Sequence, residues 1–323
     1  MTRDPAAVKS AAAERLRAVG GGSPAPLPTA EAAAGAGAAD DCEALWALCL
    51  DIARRRRHGL PAVDLVAPGG RPDTEPRIDW HPARGWLLAG DWSTAAREMF
   101  DLYRPLLALQ PGQRYVLGHL GQSIDGRIAT SSGDSCFING KQNLVHMHRL
   151  RALCDAVVVG ATTVLSDDPQ LTTRMVPGCH ATRVVIDPSQ RLTPEHRVCS
   201  DGRCPTLVAR FPSLDDDARP RCGQAELIPA VASGTGVDLR ALLDTLSKRG
   251  LHAVLVEGGG ITVSRFLRAG VVDRLHVTVA PLIIGSGRPA LALEPIDTLD
   301  QALRPRCRHF HLGEDILFDL ELH

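Results

Sequence analysis

Residues 252–269, HAVLVEGGGITVSRFLRA, constrain the fold of this chain more than any other stretch. The apolar run HAVLV reads as a buried strand, and ITVSRFLRA has the spacing of a helix. Between them stand Glu257, at the strand's carboxyl end, and Gly258, Gly259 and Gly260. Glycine lets a backbone approach a ligand closely. The first N–H groups of a helix have no intrahelical partner and lie at its positive dipole end. A phosphate fits such a junction. The run is neither a P-loop, since no Lys follows the glycines, nor a spaced GxGxxG. On local sequence it is equally a tight turn that packs a helix on a sheet.

The same texture continues on either side. From residue 113 onward, QRYVLGHLGQ, DAVVVG (155–160), TRVVIDP (182–188), CPTLVAR (204–210) and AELIPA (225–230) read as strands. Residues 141–153 form an amphipathic pattern, and Asp238 is placed to cap a helix running to Arg249. Residues 272–284 hold one or two strands around Pro281, and DILFDLEL (315–322) is expected to close the sheet. Strands alternating with helices predict a three-layer α/β domain over 113–323 with a mostly parallel sheet.

Ahead of it, residues 1–40 are rich in Ala, Gly and Pro and read as a disordered linker. Residues 41–112 read as a small, mainly helical accessory subdomain. One helix is expected from Asp41 to the arginine run at 54–57, and another from Ser93 to Tyr103, followed by a turn at Pro105. The four arginines are expected to be a solvated helix end. No second basic patch or aromatic interleaving accompanies them, as nucleic-acid binding would require. A net charge of −1 and 4% aromatic residues point the same way. No apolar run has the length of a membrane span and the first residues lack a signal-peptide core, so a cytoplasmic protein is expected. Nine scattered cysteines with no CxxC suggest reduced thiols rather than a disulfide framework or zinc site.

Several segments, in order and at compatible spacing, carry a resemblance. They are SIDGRIAT (123–130), GDS (133–135), HRLRALCDAVVVGATTVLSDDPQLTTR (148–174), RVVIDP (183–188), LVEGGG (255–260) and GVVDRLHVTVAPLIIGSG (270–287). Residues 113–323 resemble the pyrimidine reductase family of riboflavin biosynthesis, the C-terminal half of a bifunctional deaminase–reductase. The resemblance implies a dihydrofolate-reductase-like fold. It also implies NADPH-dependent reduction of the ribosyl side chain of 5-amino-6-(5-phosphoribosylamino)uracil to a ribityl chain. Its partners would be that phosphorylated pyrimidine and a second copy of the chain, as a homodimer.

Carried over by position, the implied cofactor residues are Gly121, Phe137, Thr163, Asp167, Gly259, Gly260, Ile261, Thr262, Val263, Ser264 and Arg265. The implied substrate residues are Ser135, Arg151, Leu171, Arg174 and Glu257, with Glu257 also placed to assist proton transfer. Arg151 and Arg174 are the expected phosphate ligands, because guanidinium suits bidentate recognition. Arg149, about 200° round the helix from Arg151, is expected to be a surface charge, and Asp125 a turn former. Phe137 stands where the family often has Trp, Pro188 replaces a small polar residue, and His119 occupies a position that is often Lys. The H-x-E and P-C-x-x-C patterns of a zinc deaminase are absent from these 323 residues, so neither deaminase activity nor a metal is expected.

Overall fold

Val157 and Val159 enter one apolar cluster while Ala156 and Val158 enter another. The run DAVVVG is therefore buried on both faces, as a strand in mid-sheet must be when helices cover both sides. The computed structural model describes residues 37–67, 76–135, 138–212, 221–234 and 236–323 of the protein. Its strands are β1 (Leu65–Val66), β2 (Arg77–His81), β3 (Gly85–Ala89), β4 (Tyr115–Ser123), β5 (Arg127–Thr130), β6 (Ala156–Gly160), β7 (Thr182–Ile186), β8 (Thr206–Arg210), β9 (Arg221–Cys222), β10 (Ala225–Pro229), β11 (Ala232–Ser233), β12 (Gly236–Val237), β13 (Ala253–Val256), β14 (Arg274–Ala280), β15 (Gly287–Pro289), β16 (Arg306–Leu312) and β17 (Asp315–Glu321). The α-helices are α1 (Gly37–Arg57), α2 (Thr94–Leu107), α3 (Lys141–Leu153), α4 (Ala161–Asp167), α5 (Arg197–Ser200), α6 (Leu239–Lys248) and α7 (Gly260–Arg268).

A ten-stranded sheet runs in the order β16-β17-β14-β4-β13-β6-β7-β8-β10-β9. From β14 to β10 every neighbouring pair is parallel, and the antiparallel pairings are the outer ones, β14–β17, β17–β16 and β10–β9. Leu150 and Leu153 of α3 pack on one face, and Leu242, Leu243 and Leu246 of α6 with Val263 and Phe266 of α7 pack on the other. This is the expected α/β architecture, a dihydrofolate-reductase-like domain with a mostly parallel sheet. Helix α6 begins where Asp238 accepts the N–H groups of Arg240 and Ala241, which satisfies two orphan donors of its first turn.

The amino-terminal region adds a further layer. Leu45, Cys49 and Ile52 of α1, with Phe100, Tyr103 and Leu107 of α2, belong to the same apolar cluster as Leu150, Val157 and Leu255. Residues 41–112 thus share a core with the sheet domain. Helix α1 starts at Gly37, so the last residues of the expected linker are helical; residues 1–36 lie outside the described residues. Helix α2 continues through Pro105 to Leu107 instead of turning there. Proline removes one backbone donor, but Leu102, Tyr103, Leu106 and Leu107 are all buried, and their packing holds the last turn.

Arg54 is exposed, but the second half of the arginine run is not a solvated end. Arg56 and Arg57 both pair with Asp155 at 3.0 Å, and donate to the carbonyls of Leu106, Ala152, Leu153 and Cys154. The other oxygen of Asp155 accepts from the N–H groups of His252 and Ala253. One carboxylate therefore joins α1, the end of α3 and the first residue of β13. Burial would raise its pKa, but the arginines and these N–H groups hold it below the usual carboxylate range.

At the other end of the sheet DILFDLEL does not close the structure. The basic segment Arg306–Leu312 adds β16 outside it. Its charged, largely exposed residues conceal the strand from a pattern of apolar alternation, and suit an edge that faces water.

Candidate active site

The carboxyl ends of β4, β6, β7 and β13 open onto a cleft of 1710 Å³. Ligands of open α/β sheets bind at this end. A pocket for one small ligand measures roughly 300–1,000 Å³, so the cleft exceeds the usual size of a single-ligand site.

The glycine turn forms one wall. Gly258 has φ +110°, and a Cβ there would lie 2.9 Å from Thr163 Oγ1. That hydroxyl accepts the N–H of Gly259 at 3.4 Å. Gly259 is the N-cap of α7, and nothing lies within 4 Å of where its Cβ would be. Gly260 is different: a Cβ would meet the carbonyl oxygen of Ala290 at 2.2 Å. The three glycines therefore serve a left-handed backbone, an open cradle and a packing contact respectively. The cradle, at the start of a nine-residue helix, presents N–H groups to the cleft, with Arg265 beside them on its wall.

The opposite wall is built by α3. Asn143, Met147 and Arg151 follow one another at intervals of four residues and all face the cleft. Arg151 makes a fork-to-fork pair with Glu257: Nε donates to Oε1 at 2.7 Å and Nη2 to Oε2 at 2.6 Å, while Nη1 donates to the carbonyl of Thr172 at 3.2 Å. Both side chains are nearly buried, 11% and 5% exposed. Burial alone would lower the arginine's pKa, yet its pairing with Glu257 raises it. Three of the five guanidinium donors are thus committed within the protein. Arg151 fixes Glu257 rather than standing free as a phosphate ligand.

The loop after α4 completes this side. Asp168 caps α4 in the left-handed region, φ 38°, and accepts the N–H of Arg197 at 2.8 Å. Leu171, φ 53°, is buried against the cleft. Buried Arg183 donates to the carbonyl of Gln170 at 3.2 Å, and His148 Nδ1 accepts the N–H of Arg174 at 3.1 Å. Burial, then the charges of Arg151 and Arg174, push the pKa of His148 down to about 4. Its imidazole is neutral, as an acceptor must be.

His119 enters the cleft from β4, with its Nε2 3.2 Å from Asn143 Oδ1 and 3.3 Å from Thr278 Oγ1. Burial and the neighbouring His276 push its pKa down to about 3, so this ring adds no positive charge near neutral pH. Behind it runs a buried chain. Tyr103 Oη lies 2.8 Å from His146 Nδ1, His146 Nε2 lies 3.1 Å from His276 Nδ1, and His276 Nε2 faces Asp319 Oδ1 at 3.3 Å.

Of the residues expected from sequence, the structure brings Gly121, Ser135, Arg151, Thr163, Asp167, Leu171, Glu257, Gly259, Gly260, Ile261, Thr262 and Arg265 to the cleft. Phe137 lies outside the described residues. Val263 and Ser264 turn away: Val263 packs in the core, and buried Ser264 Oγ accepts the N–H of Ala292 at 2.8 Å. Arg174 is exposed beyond the cleft wall. The close approach that requires glycine at 121 is made by Asn139, whose amide a Cβ would strike. Arg149 is not a surface charge, since its guanidinium lies over the Trp46 ring, 5.5 Å from the centroid. Asp125 is a turn former, accepting the N–H groups of Ile284 and Gly285 at 3.1 and 2.6 Å. Asn143 was missed, although its spacing from Arg151 on one helix face was available as a signal.

A doubly covered, mostly parallel sheet with a large cleft at its carboxyl edge agrees with a dihydrofolate-reductase-like domain. The RibD C-terminal domain model matches residues 114–318, and the chain belongs to that family. It is 38% identical over 213 residues to the 2,5-diamino-6-ribosylamino-4(3H)-pyrimidinone 5′-phosphate reductase of Methanothermobacter thermautotrophicus, which covers 64% of this chain and 96% of the relative. It is 32% identical over 232 residues to the riboflavin biosynthesis protein RibD of Escherichia coli, covering 67% of this chain and 62% of that protein. The chain thus spans less than two thirds of that RibD. Among solved structures, Acinetobacter baumannii RibD superposes with a TM-score of 0.58 at 27% identity, over 72% of this chain and 65% of that one.

Proposed function

We propose that this chain is an oxidoreductase of riboflavin biosynthesis that reduces the ribosyl side chain of a 5-phosphoribosylaminopyrimidine with NADPH, and that it carries no deaminase activity. The observation that carries this reading is the opposition, across one cleft, of an anion-ready glycine turn and a buried Arg151–Glu257 pair. The open space at Gly259 and the amino end of α7 suit a dinucleotide phosphate, with Arg265, Thr163 and Asp167 on the same wall. Such a cofactor would supply the hydride.

The protein's own share is to orient and to hold charge. Arg151 locks the Glu257 carboxylate in one geometry. Its remaining lone pairs accept from the substrate's N–H and O–H groups near the sugar carbon that receives hydride. A carboxylate held there also relays the proton that the adjacent nitrogen takes up, accepting it from a water molecule and passing it on, so that hydride from the cofactor and a proton from water complete the reduction. Leu171 and Met147 give the pyrimidine an apolar flank, and Ser135 a hydroxyl. Arg174, exposed just beyond the cleft wall, is the cation we assign to the ribose phosphate. We also propose a homodimer, in keeping with exposed apolar residues such as Ile283 and Leu299.

Two pyrimidines compete for the assignment. The family resemblance implies 5-amino-6-(5-phosphoribosylamino)uracil, whereas the Methanothermobacter relative is named for the 2,5-diamino compound. Purified protein should consume NADPH, followed by the loss of reduced-nicotinamide absorbance, when given one of these and not when given dihydrofolate. Glu257→Gln should lower kcat by about 10²-fold, the range of general acid–base effects, without changing the circular-dichroism spectrum. Absence of NADPH consumption with both pyrimidines would overturn the assignment. An unchanged kcat in Glu257→Gln would remove that residue from the mechanism.

A further inference from the structure

We infer that residues 41–112 form an intramolecular clamp that sets the geometry of the pyrimidine side of the cleft, with Trp46 and Tyr103 as its positioning residues. This rests on the reading above that the α3 wall and the 168–174 loop take the pyrimidine. The Methanothermobacter relative is 96% matched within 64% of this chain, and the family model begins at residue 114. Almost nothing in that relative corresponds to the remaining third of this chain. An added layer of that size either leaves the site alone or acts on it, and its contacts decide which.

No residue of the amino-terminal region lines the cleft among the described residues. Its contacts fall instead on the two segments that carry the pyrimidine wall. Trp46 Nε1 donates to the carbonyl of Pro177 at 3.0 Å, and its ring lies under the Arg149 guanidinium of α3. Gly178, φ +140°, is wedged between the two helices, where a Cβ would lie 2.6 Å from Ala152 Cβ and 3.2 Å from Leu50 Cδ2. Tyr103 packs edge-on to Trp46, with centroids 5.9 Å apart, and pairs with His146 of α3.

The pinned segment is short and internally braced. Thr173 takes the carbonyl of Cys179 at 3.1 Å through its hydroxyl, and its N–H reaches His180 Nδ1 at 3.3 Å. The tip at Pro177 and Gly178 is therefore tied to Thr173, and Thr173 lies between the Arg151-bound carbonyl of Thr172 and the His148-bound N–H of Arg174. Holding the tip fixes the loop that presents Leu171 and Arg174. The glycine turn receives no contact of this kind from residues 41–112 among the described hydrogen bonds and ion pairs. The clamp consequently acts on one reactant and not the other.

The test uses the full chain with Trp46→Phe, which keeps an aromatic plate and loses the indole N–H, and Tyr103→Phe, which loses only the hydroxyl. Each is expected to raise KM for the pyrimidine about fivefold, as the loss of one ordering hydrogen bond implies. KM for NADPH should stay within about twofold, a split that general loosening of the fold would not give. Amide hydrogen exchange should quicken across 172–180 and stay unchanged across 254–268. A pyrimidine KM and 172–180 exchange both equal to wild type would overturn the clamp, as would equal rises in both KM values. If Trp46→Phe fails to fold, Tyr103→Phe decides. If the wild-type chain turns over neither pyrimidine, the functional reading fails, and the exchange pattern alone still decides the clamp.

Discussion

Gly259 and Gly260 are adjacent and chemically identical, yet the structure gives them opposite duties. A methyl group on Gly259 points into open cleft, and its φ of −57° is one that alanine adopts without strain. The same group on Gly260 strikes the Ala290 carbonyl at 2.2 Å, with the Pro289 carbonyl at 2.9 Å, and backbone cannot rotate aside as a side chain can. Gly260→Ala should therefore cost about 3 kcal/mol, the upper part of the range for overpacking, read from urea unfolding. Gly259→Ala should leave stability within about 0.5 kcal/mol and weaken NADPH binding about tenfold in calorimetric titration. Equal stability losses in the two variants would show that both glycines serve packing. The motif EGGG was legible in the sequence as a junction, and Glu257 and Arg151 as candidates. Which glycine faces open space was not, because the atom that decides it, the Ala290 carbonyl oxygen, lies about 30 residues further along the chain. Likewise the Arg151–Glu257 pair joins residues 106 positions apart, and periodicity carries no trace of it.

At the scale of elements the pattern-based reading succeeds where burial is two-sided or periodicity is long. Strands β6, β7, β8 and β10, and helices α3 and α6, all appear near the expected limits. It fails where a tertiary contact reassigns a polar residue. The arginine run of α1 looks solvated because its partner, Asp155, is nearly a hundred residues away. The Arg56 and Asp155 side chains are only 7% and 6% exposed, so their desolvation is compensated only while the pair is intact. Asp155→Asn removes the charge and leaves two guanidinium groups against a neutral amide. It should destabilise the protein by about 3 kcal/mol, measured by equilibrium denaturation. Since Asp155 also holds the first residues of β13, the loss should appear as early hydrogen exchange at His252 and Ala253. A change below about 0.5 kcal/mol, the surface-substitution range, would restore the solvated-end reading.

Across the described molecule the buried imidazoles and the arginine-paired carboxylates Asp155 and Asp319 all shift downward. Burial holds His146 well below the ordinary imidazole pKa and lowers that of His276, while His119 falls to about 3 and His148 to about 4. For each, the unfolded chain binds a proton near pH 6.5 that the folded chain refuses. The stability they contribute is complete above the unfolded value and is lost as pH falls toward the folded one. The carboxylates Asp155 and Asp319, held low by their arginine and histidine neighbours, add a loss of the same direction below about pH 4. Opposing contributions from these groups do not arise, so the stability curve should fall monotonically from neutral pH into acid. Between pH 7 and pH 5, before the carboxylates titrate, His119 and His148 should each remove on the order of 1–2 kcal/mol. His148→Gln keeps an acceptor for the N–H of Arg174 and removes one of these titrations, so it should make this limb shallower by on the order of 1–2 kcal/mol while leaving stability at pH 7.5 nearly unchanged. Urea midpoints across the pH series for both proteins measure the effect. A wild-type curve level from pH 7 to pH 5 would mean that these imidazoles accept protons without unfolding. The neutral His148 acceptor that holds the Arg174 loop would then have to be abandoned.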